Sequence, residues 1–223
     1  MMTASTKYIV QLFSGLLLLL LFGELAAALS SQELSKVTIS NETGVTLRYL
    51  FTSPSDSKVW GPDILGSRSL KFGSVDSYYI HYAGSHARFD LLALDSDNDA
   101  YLVEGLLMVE ARDTVLQIGR GQYIGPYRSM KISHIYVTNA TKHSFSYLFF
   151  SPQESKSWGF DILNDTTSLE PGDTISFAIP VGRASTRFEI LALSREQAIV
   201  QREVVLNVNK PEVYIDFTVS DLH

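Results

Sequence analysis

From about residue 37 onward, apolar and polar side chains alternate in short runs, and glycine, proline and small polar residues separate the runs. Val45, Leu47, Tyr49 and Phe51 alternate with Thr46, Arg48, Leu50 and Thr52. That period of two predicts a strand with the first set facing a core. Further along, Ile175, Phe177 and Ile179 alternate in the same way with Thr174, Ser176 and Ala178. Other strand-like runs fall at residues 75–82, 89–94, 101–109, 114–118, 188–193, 200–208 and 213–217. Turns are expected at residues 69–73 and 168–172, the second carrying Pro171-Gly172. No apolar period of 3.6 is sustained beyond residue 37, so no amphipathic helix is predicted.

The pattern occurs twice. YLFTSPSDSKVWGPDIL, residues 49–65, returns at residues 147–163 as YLFFSPQESKSWGFDIL, with about twelve of seventeen positions identical. Phe89-Asp-Leu-Leu-Ala-Leu94 likewise matches Phe188-Glu-Ile-Leu-Ala-Leu193. Six or so short strands per copy, punctuated by turns, predict an all-β chain of two tandem antiparallel β-sandwich domains, residues 29–118 and 134–223. Residues 119–133 are expected as the linker, since three glycines and Pro126 break any regular pattern. Within it, Tyr123, Ile124 and Tyr127 are apolar enough to hold it against a domain.

Ser-Pro, Ser-Lys, Trp-Gly and Asp-Ile-Leu in this order, followed by a Pro-Gly-type turn and a Phe-Asp-Leu strand, resemble a family of exported bacterial proteins with no assigned activity. Its members carry one or more such modules. The resemblance implies export and a repeated β module, and says nothing about catalysis.

The N-terminus supports export independently. Lys7 precedes an apolar run over residues 9–22, and Ala26-Ala27-Ala28 supplies the small residues of a cleavage site, so residues 1–28 are expected as a signal peptide. The run is shorter than the roughly 20 residues that span a bilayer, so no stable membrane insertion is expected after cleavage. The destination is the periplasm or the cell exterior. With no cysteine, neither lipid attachment nor disulfides can hold the mature chain. The net charge of −6 argues against nucleic acid as a partner, which requires clustered Lys and Arg, and leaves an unknown protein or glycan.

Candidate chemistry centres on the repeated stretch. Trp60 and Trp158 could be aromatic platforms for a ligand, with Asp63 and Asp161 as polar partners. Alternatively the tryptophans plug a long loop, Gly61 and Gly159 adopt a special backbone angle, and the aspartates accept backbone N–H bonds. Joint retention of Trp, Gly, Asp, Ile and Leu in both copies favours the anchoring role. Asp95, Asp97 and Asp99 have the alternating oxygens that begin a calcium loop, but Ala100 occupies the position that needs glycine and the twin segment reads Ser194-Arg-Glu-Gln-Ala198. A solvated hairpin tip is expected there, with calcium the weaker alternative. His81, His86, His134, His143 and His223 show neither metal spacing nor a catalytic context. Asn41, Asn139 and Asn164 each begin an Asn-x-Thr sequon, which a local turn explains as well as glycosylation does. These features predict a non-catalytic binding or structural module; the alternative is a hydrolase with Asp63 or Asp161 as acid or base.

Overall fold

Strand formation follows the alternation. In a computed structural model the described residues are 34–223, except Ala83, Glu110, Ala111, Arg128, Ser129, Lys156, Arg183, Ala184, Gln197 and Val208. The expected signal peptide, residues 1–28, lies outside the described residues. The strands are β1 (Ser35–Glu42), β2 (Leu47–Pro54), β3 (Val75–His81), β4 (His86–Asp95), β5 (Asp99–Val109), β6 (Thr114–Gly119) and β7 (Tyr123–Pro126). They continue as β8 (Ile132–Asn139), β9 (Tyr147–Pro152), β10 (Gly159–Phe160), β11 (Thr174–Pro180), β12 (Thr186–Leu193), β13 (Ile199–Leu206) and β14 (Glu212–Phe217). Among the described residues the only helical elements are two 3-10 turns, Arg120–Gln122 and Val219–Asp221. No helix there is long and apolar enough to cross a membrane.

The strands form four sheets, ordered β10-β3-β1-β6, β2-β4-β5-β7, β11-β8-β14 and β13-β12-β9. In the N-terminal half a core joins Val37, Ile39, Tyr78 and Ile80 of the first sheet to Leu50, Phe89 and Leu91 of the second. In the C-terminal half Ile135, Val137 and Phe177 meet Phe150, Phe188 and Ile190 in the same manner. The chain is therefore all-β, with two sheets facing each core.

Three expectations change. Purely antiparallel pairing is corrected, because β1 runs parallel to β6 and β8 parallel to β14. In each half the chain crosses from one sheet to the other after the β4–β5 or β12–β13 hairpin, and its last strand returns beside the first in the same direction. The face containing Leu47, Tyr49 and Phe51 is also split. A bulge between Leu47 and Tyr49 shifts the register against β4. Leu47 and Leu50 then enter the first core while Phe51 joins a third cluster, with Leu92, Leu94 and Ala178. A bulge adds one residue to one strand and so exchanges the faces of the residues beyond it. Finally, the connector at residues 119–133 is not irregular throughout. Its β7 pairs with β5, Tyr123 packs on Tyr101 with ring centroids 5.6 Å apart, and the Tyr127 N–H donates to the Asn98 carbonyl at 2.7 Å.

The two halves interlock. β10, from the C-terminal half, adds to the edge of β3, with Gly159 opposite His81 and Phe160 opposite Ile80. The Phe160 ring enters the N-terminal core, edge-on to Phe89 at 5.8 Å and to Tyr78 at 6.4 Å. Conversely, Ala178 of β11 is buried in the cluster formed on the outer face of β2 and β4. Truncating a buried aromatic costs about 3–5 kcal/mol. Phe160→Ala is therefore expected to lower the stability of the N-terminal core by about that amount, and urea unfolding of residues 29–223 should remain one transition by fluorescence and circular dichroism. Two separated transitions, with only the C-terminal one moved, would contradict the interlock.

Candidate functional site

The repeated stretch is a strand followed by a loop that folds back along that strand's open edge. In the N-terminal copy Asp63 Oδ1 accepts the N–H groups of Leu50 (2.8 Å) and Leu65 (3.1 Å), and the Ile64 N–H donates to the Leu50 carbonyl at 3.0 Å. In the C-terminal copy Asp161 Oδ1 accepts Leu148 N–H (2.8 Å) and Leu163 N–H (3.0 Å), and Ile162 N–H donates to the Leu148 carbonyl at 2.8 Å. Each aspartate then reaches across to the other half through its own backbone. Asp63 N–H donates to the Ala178 carbonyl and Asp161 N–H to the Tyr79 carbonyl, both at 2.8 Å. The loop thus covers its own strand's edge and docks on the partner half's edge strand, once in each direction.

Both carboxylates are fully buried, and in each the second oxygen, Oδ2, has no hydrogen-bond partner. Burial pushes Asp63 up to about 7 against the opposing pull of its backbone N–H bonds, and pushes Asp161 up to about 8 for the same reason. Neither group faces solvent, so neither can protonate a substrate, and the alternative of a hydrolase with Asp63 or Asp161 as acid or base is not supported by this geometry.

The glycines beside the tryptophans serve two purposes, where one was expected. Gly159 has φ +78, a left-handed angle that favours glycine. Gly61 is not left-handed; it is required because a Cβ there would lie 2.5 Å from the Thr52 carbonyl oxygen. The tryptophans differ as well. Trp158 is 4% exposed, and its backbone N–H donates to Nδ1 of His81 at 3.3 Å. Burial lowers the His81 pKa to about 4, so the ring is neutral and Nδ1 is free to accept. Trp60 is half-buried, packed on the Phe51 cluster, and lines a cleft of about 520 Å³ with Tyr127, Met130, Lys131 and Val181.

A second cleft, of about 640 Å³, lies between the two Ser-Pro loops and is lined by Asp56, Ser57 and Lys58 from one half and by Gln153, Glu154 and Ser155 from the other. The two clefts meet at Lys58, Val59 and Thr186, which line both. Asp56 and Glu154 occupy equivalent positions of the repeat and are exposed. They were not among the residues singled out by sequence. The only signal for them was that an acidic residue stands two positions after the proline of Ser-Pro in both copies.

The remaining candidates resolve locally. Asp95 Oδ1 accepts the N–H groups of Asp97 and Asp99, both at 2.9 Å, and Asn98 has φ 61, so Asp95 closes the β4–β5 hairpin. Ser194 does the same for the twin hairpin, accepting Ala198 N–H at 2.8 Å. Among the described residues no three His, Asp or Glu side chains are grouped to hold a metal ion. Asn41 donates both amide hydrogens, to the Val45 and Leu70 carbonyls, and accepts from Thr43; Asn139 does so with His143, Leu169 and Thr141. Asn164, with φ 59, spans the halves by donating to Asp76 Oδ1 at 3.0 Å. All three sequon amides are buried and engaged, so the folded chain presents none of them for glycosylation.

No family model matches the chain, and no curated protein matches it. Among solved structures it is similar to the Bacillus anthracis TIE protein, with 9% identity and a TM-score of 0.27 over 84% of this chain and 34% of that one. The chain thus spans about a third of that protein's length. It is also similar to CBMbc (family CBM26) from Eubacterium rectale Amy13K, solved in complex with maltoheptaose, with 7% identity and a TM-score of 0.23 over 84% of this chain and 95% of that one. Likenesses of this order carry no inference about site or ligand.

Two measurements check the anchoring roles. A native carboxyl with a raised pKa binds a proton that the unfolded chain has released, so its contribution is complete below the unfolded value near 3.8 and is lost as pH rises through about 7 for Asp63 and about 8 for Asp161. Asp63→Asn and Asp161→Asn keep the Oδ1 acceptor and remove the titration. Their urea midpoints should fall less than the parent's between pH 5 and pH 8.5. Separately, Trp158→Ala should destabilise by about 3–5 kcal/mol, and Trp60→Ala by clearly less, because its ring is already partly solvated.

Proposed function

We propose that the chain is an exported, non-catalytic binding module, made of two tandem β-sandwich units of common origin and acting in the periplasm or at the cell exterior. The observation that carries this is the groove formed where the two Ser-Pro loops and Trp60 meet, since each half supplies one wall. A concave surface with an aromatic side chain and a few convergent polar groups is the usual form of a ligand site. Export is supported by the N-terminal sequence, and common origin by the matching hydrogen bonds of Asp63 and Asp161 and of Asn41 and Asn139.

One observation favours a second reading, a hydrolase of an envelope or extracellular polymer. Asp56 and Glu154 line the same cleft, and paired carboxylates are what glycoside hydrolysis requires. They would replace Asp63 and Asp161 in that role. Against it, both sit exposed on loops, and no hydrogen bond from a described residue fixes either one, whereas catalytic groups must be held to within about 0.5 Å.

The test is a titration of residues 29–223, followed by the fluorescence of Trp60 in a Trp158→Phe background, against soluble glycans, peptidoglycan fragments and peptide pools. Saturable binding lost in Trp60→Ala, with no product released by chromatography, is the expected result. Absence of binding to every class would overturn the binding role, and product release abolished by Asp56→Asn or Glu154→Gln would establish the hydrolase.

A further inference from the structure

We infer that the groove takes a neutral oligosaccharide, with a sugar ring against Trp60 and Tyr127 and its hydroxyls on Asp56, Glu154 and Lys58. This rests on the groove being a binding site. It goes further by choosing among ligand chemistries.

Charge comes first. Among the described residues that line the groove, Asp56 and Glu154 are acidic and Lys58, Lys131 and Arg187 basic, with Arg187 3.2 Å from Glu203. With both signs interspersed, a polyion of either sign would meet like charges among these side chains. A polyol suits such a lining, because every hydroxyl both donates and accepts. Exposed carboxylates accept from hydroxyls, Lys58 donates to them, and the aromatic walls take the apolar C–H face of a ring. The serines contribute less. Ser57 and Ser155 already donate to the Val59 and Ser157 carbonyls within their own loops, which leaves the charged side chains as the available partners.

The backbone argues against a peptide. An extended peptide binds chiefly by adding a strand, which requires a row of free main-chain N–H and C=O groups. At this groove β2, β9 and β11 end in Pro54, Pro152 and Pro180, which have no N–H to offer. The edges of β2 and β9 are already occupied, since Leu50 and Leu148 donate to Asp63 and Asp161 and their carbonyls accept from Ile64 and Ile162. A peptide would have to bind through side chains alone.

The inference is tested by calorimetric titration of residues 29–223 with neutral α-1,4- and β-1,4-linked hexose and N-acetylhexosamine oligomers, and with one lysine-rich and one glutamate-rich peptide, each at about 50 mM and about 500 mM salt. A neutral oligomer series should bind with affinity rising with chain length and insensitive to salt. Trp60→Ala should weaken it at least about tenfold, as should the pair Asp56→Ala with Glu154→Ala, while the urea midpoint of the carboxylate variants stays unchanged. Binding of a charged peptide alone, falling with salt, would overturn the oligosaccharide assignment and leave the binding groove standing. Oligomer binding that survives all three substitutions would place the site elsewhere and overturn the inference. No binding to any probe would overturn both.

Discussion

The fold depends on a carboxylate buried against the edge of a strand. An uncovered edge presents unpaired N–H and C=O groups that recruit other chains. Here the loop after β2, and the loop after β9, folds back over that edge because Asp63 or Asp161 gathers two N–H groups onto one oxygen. With the edge closed, the aspartate's own backbone N–H is aimed outward, at Ala178 or Tyr79 of the other half. One residue per copy therefore ends the sheet with its side chain and begins the contact between halves with its backbone. The unpartnered Oδ2 and the raised pKa values are the cost of using a carboxyl where no solvent reaches.

Identical letters in the two copies have come to do different work, and small neighbours account for it. Gly159 pairs with His81 and Phe160 with Ile80, extending a sheet; in the N-terminal copy the Gly61 N–H donates instead to the Thr52 carbonyl at 3.0 Å, and no strand matching β10 is found there among the described residues. Gly66 and Asn164 share a left-handed angle, yet a Cβ at Gly66 would lie 2.9 Å from the Ser176 carbonyl, while Asn164 has room to reach Asp76. The same asymmetry buries Trp158 under His81 and leaves Trp60 beside Pro180, at the cleft.

Strand periodicity, the Asn and Asp turns and the anchoring role of the aspartates were legible in the sequence because each is local. Asp95 bonds to the N–H groups two and four residues on, and Asn41 accepts from Thr43 two residues on, so composition and spacing reveal these turns. The parts that were not legible arise from contacts about 77 to 129 residues apart in sequence, such as Trp158 with His81 or Lys36 with Asp165. Alternation also misled at β2. Both faces of that strand are buried, so Leu50, assigned to the polar set, is as enclosed as Leu47, and the bulge at Arg48 decides which core each enters. Asp56 and Glu154 left almost no trace, since an exposed acidic residue in a loop is common and only its placement across a cleft gives it meaning.

Interlock and groove are one construction. Each Ser-Pro loop leaves its strand at Pro54 or Pro152 and is closed at its far end by the buried aspartate, so the clasp fixes where the loop tip stands. The opposing tips face each other because β10, Asp63 and the other contacts between the halves hold them in one register. A ligand touching both walls must then favour the docked arrangement, by the logarithm of its concentration over its dissociation constant. The converse also holds: walls positioned in advance by buried hydrogen bonds need no ordering when the ligand arrives, which is where an open polar groove would otherwise lose its affinity. Retention of the buried aspartates in both copies is therefore compatible with a binding role for the loops they hold, although neither aspartate lines the groove.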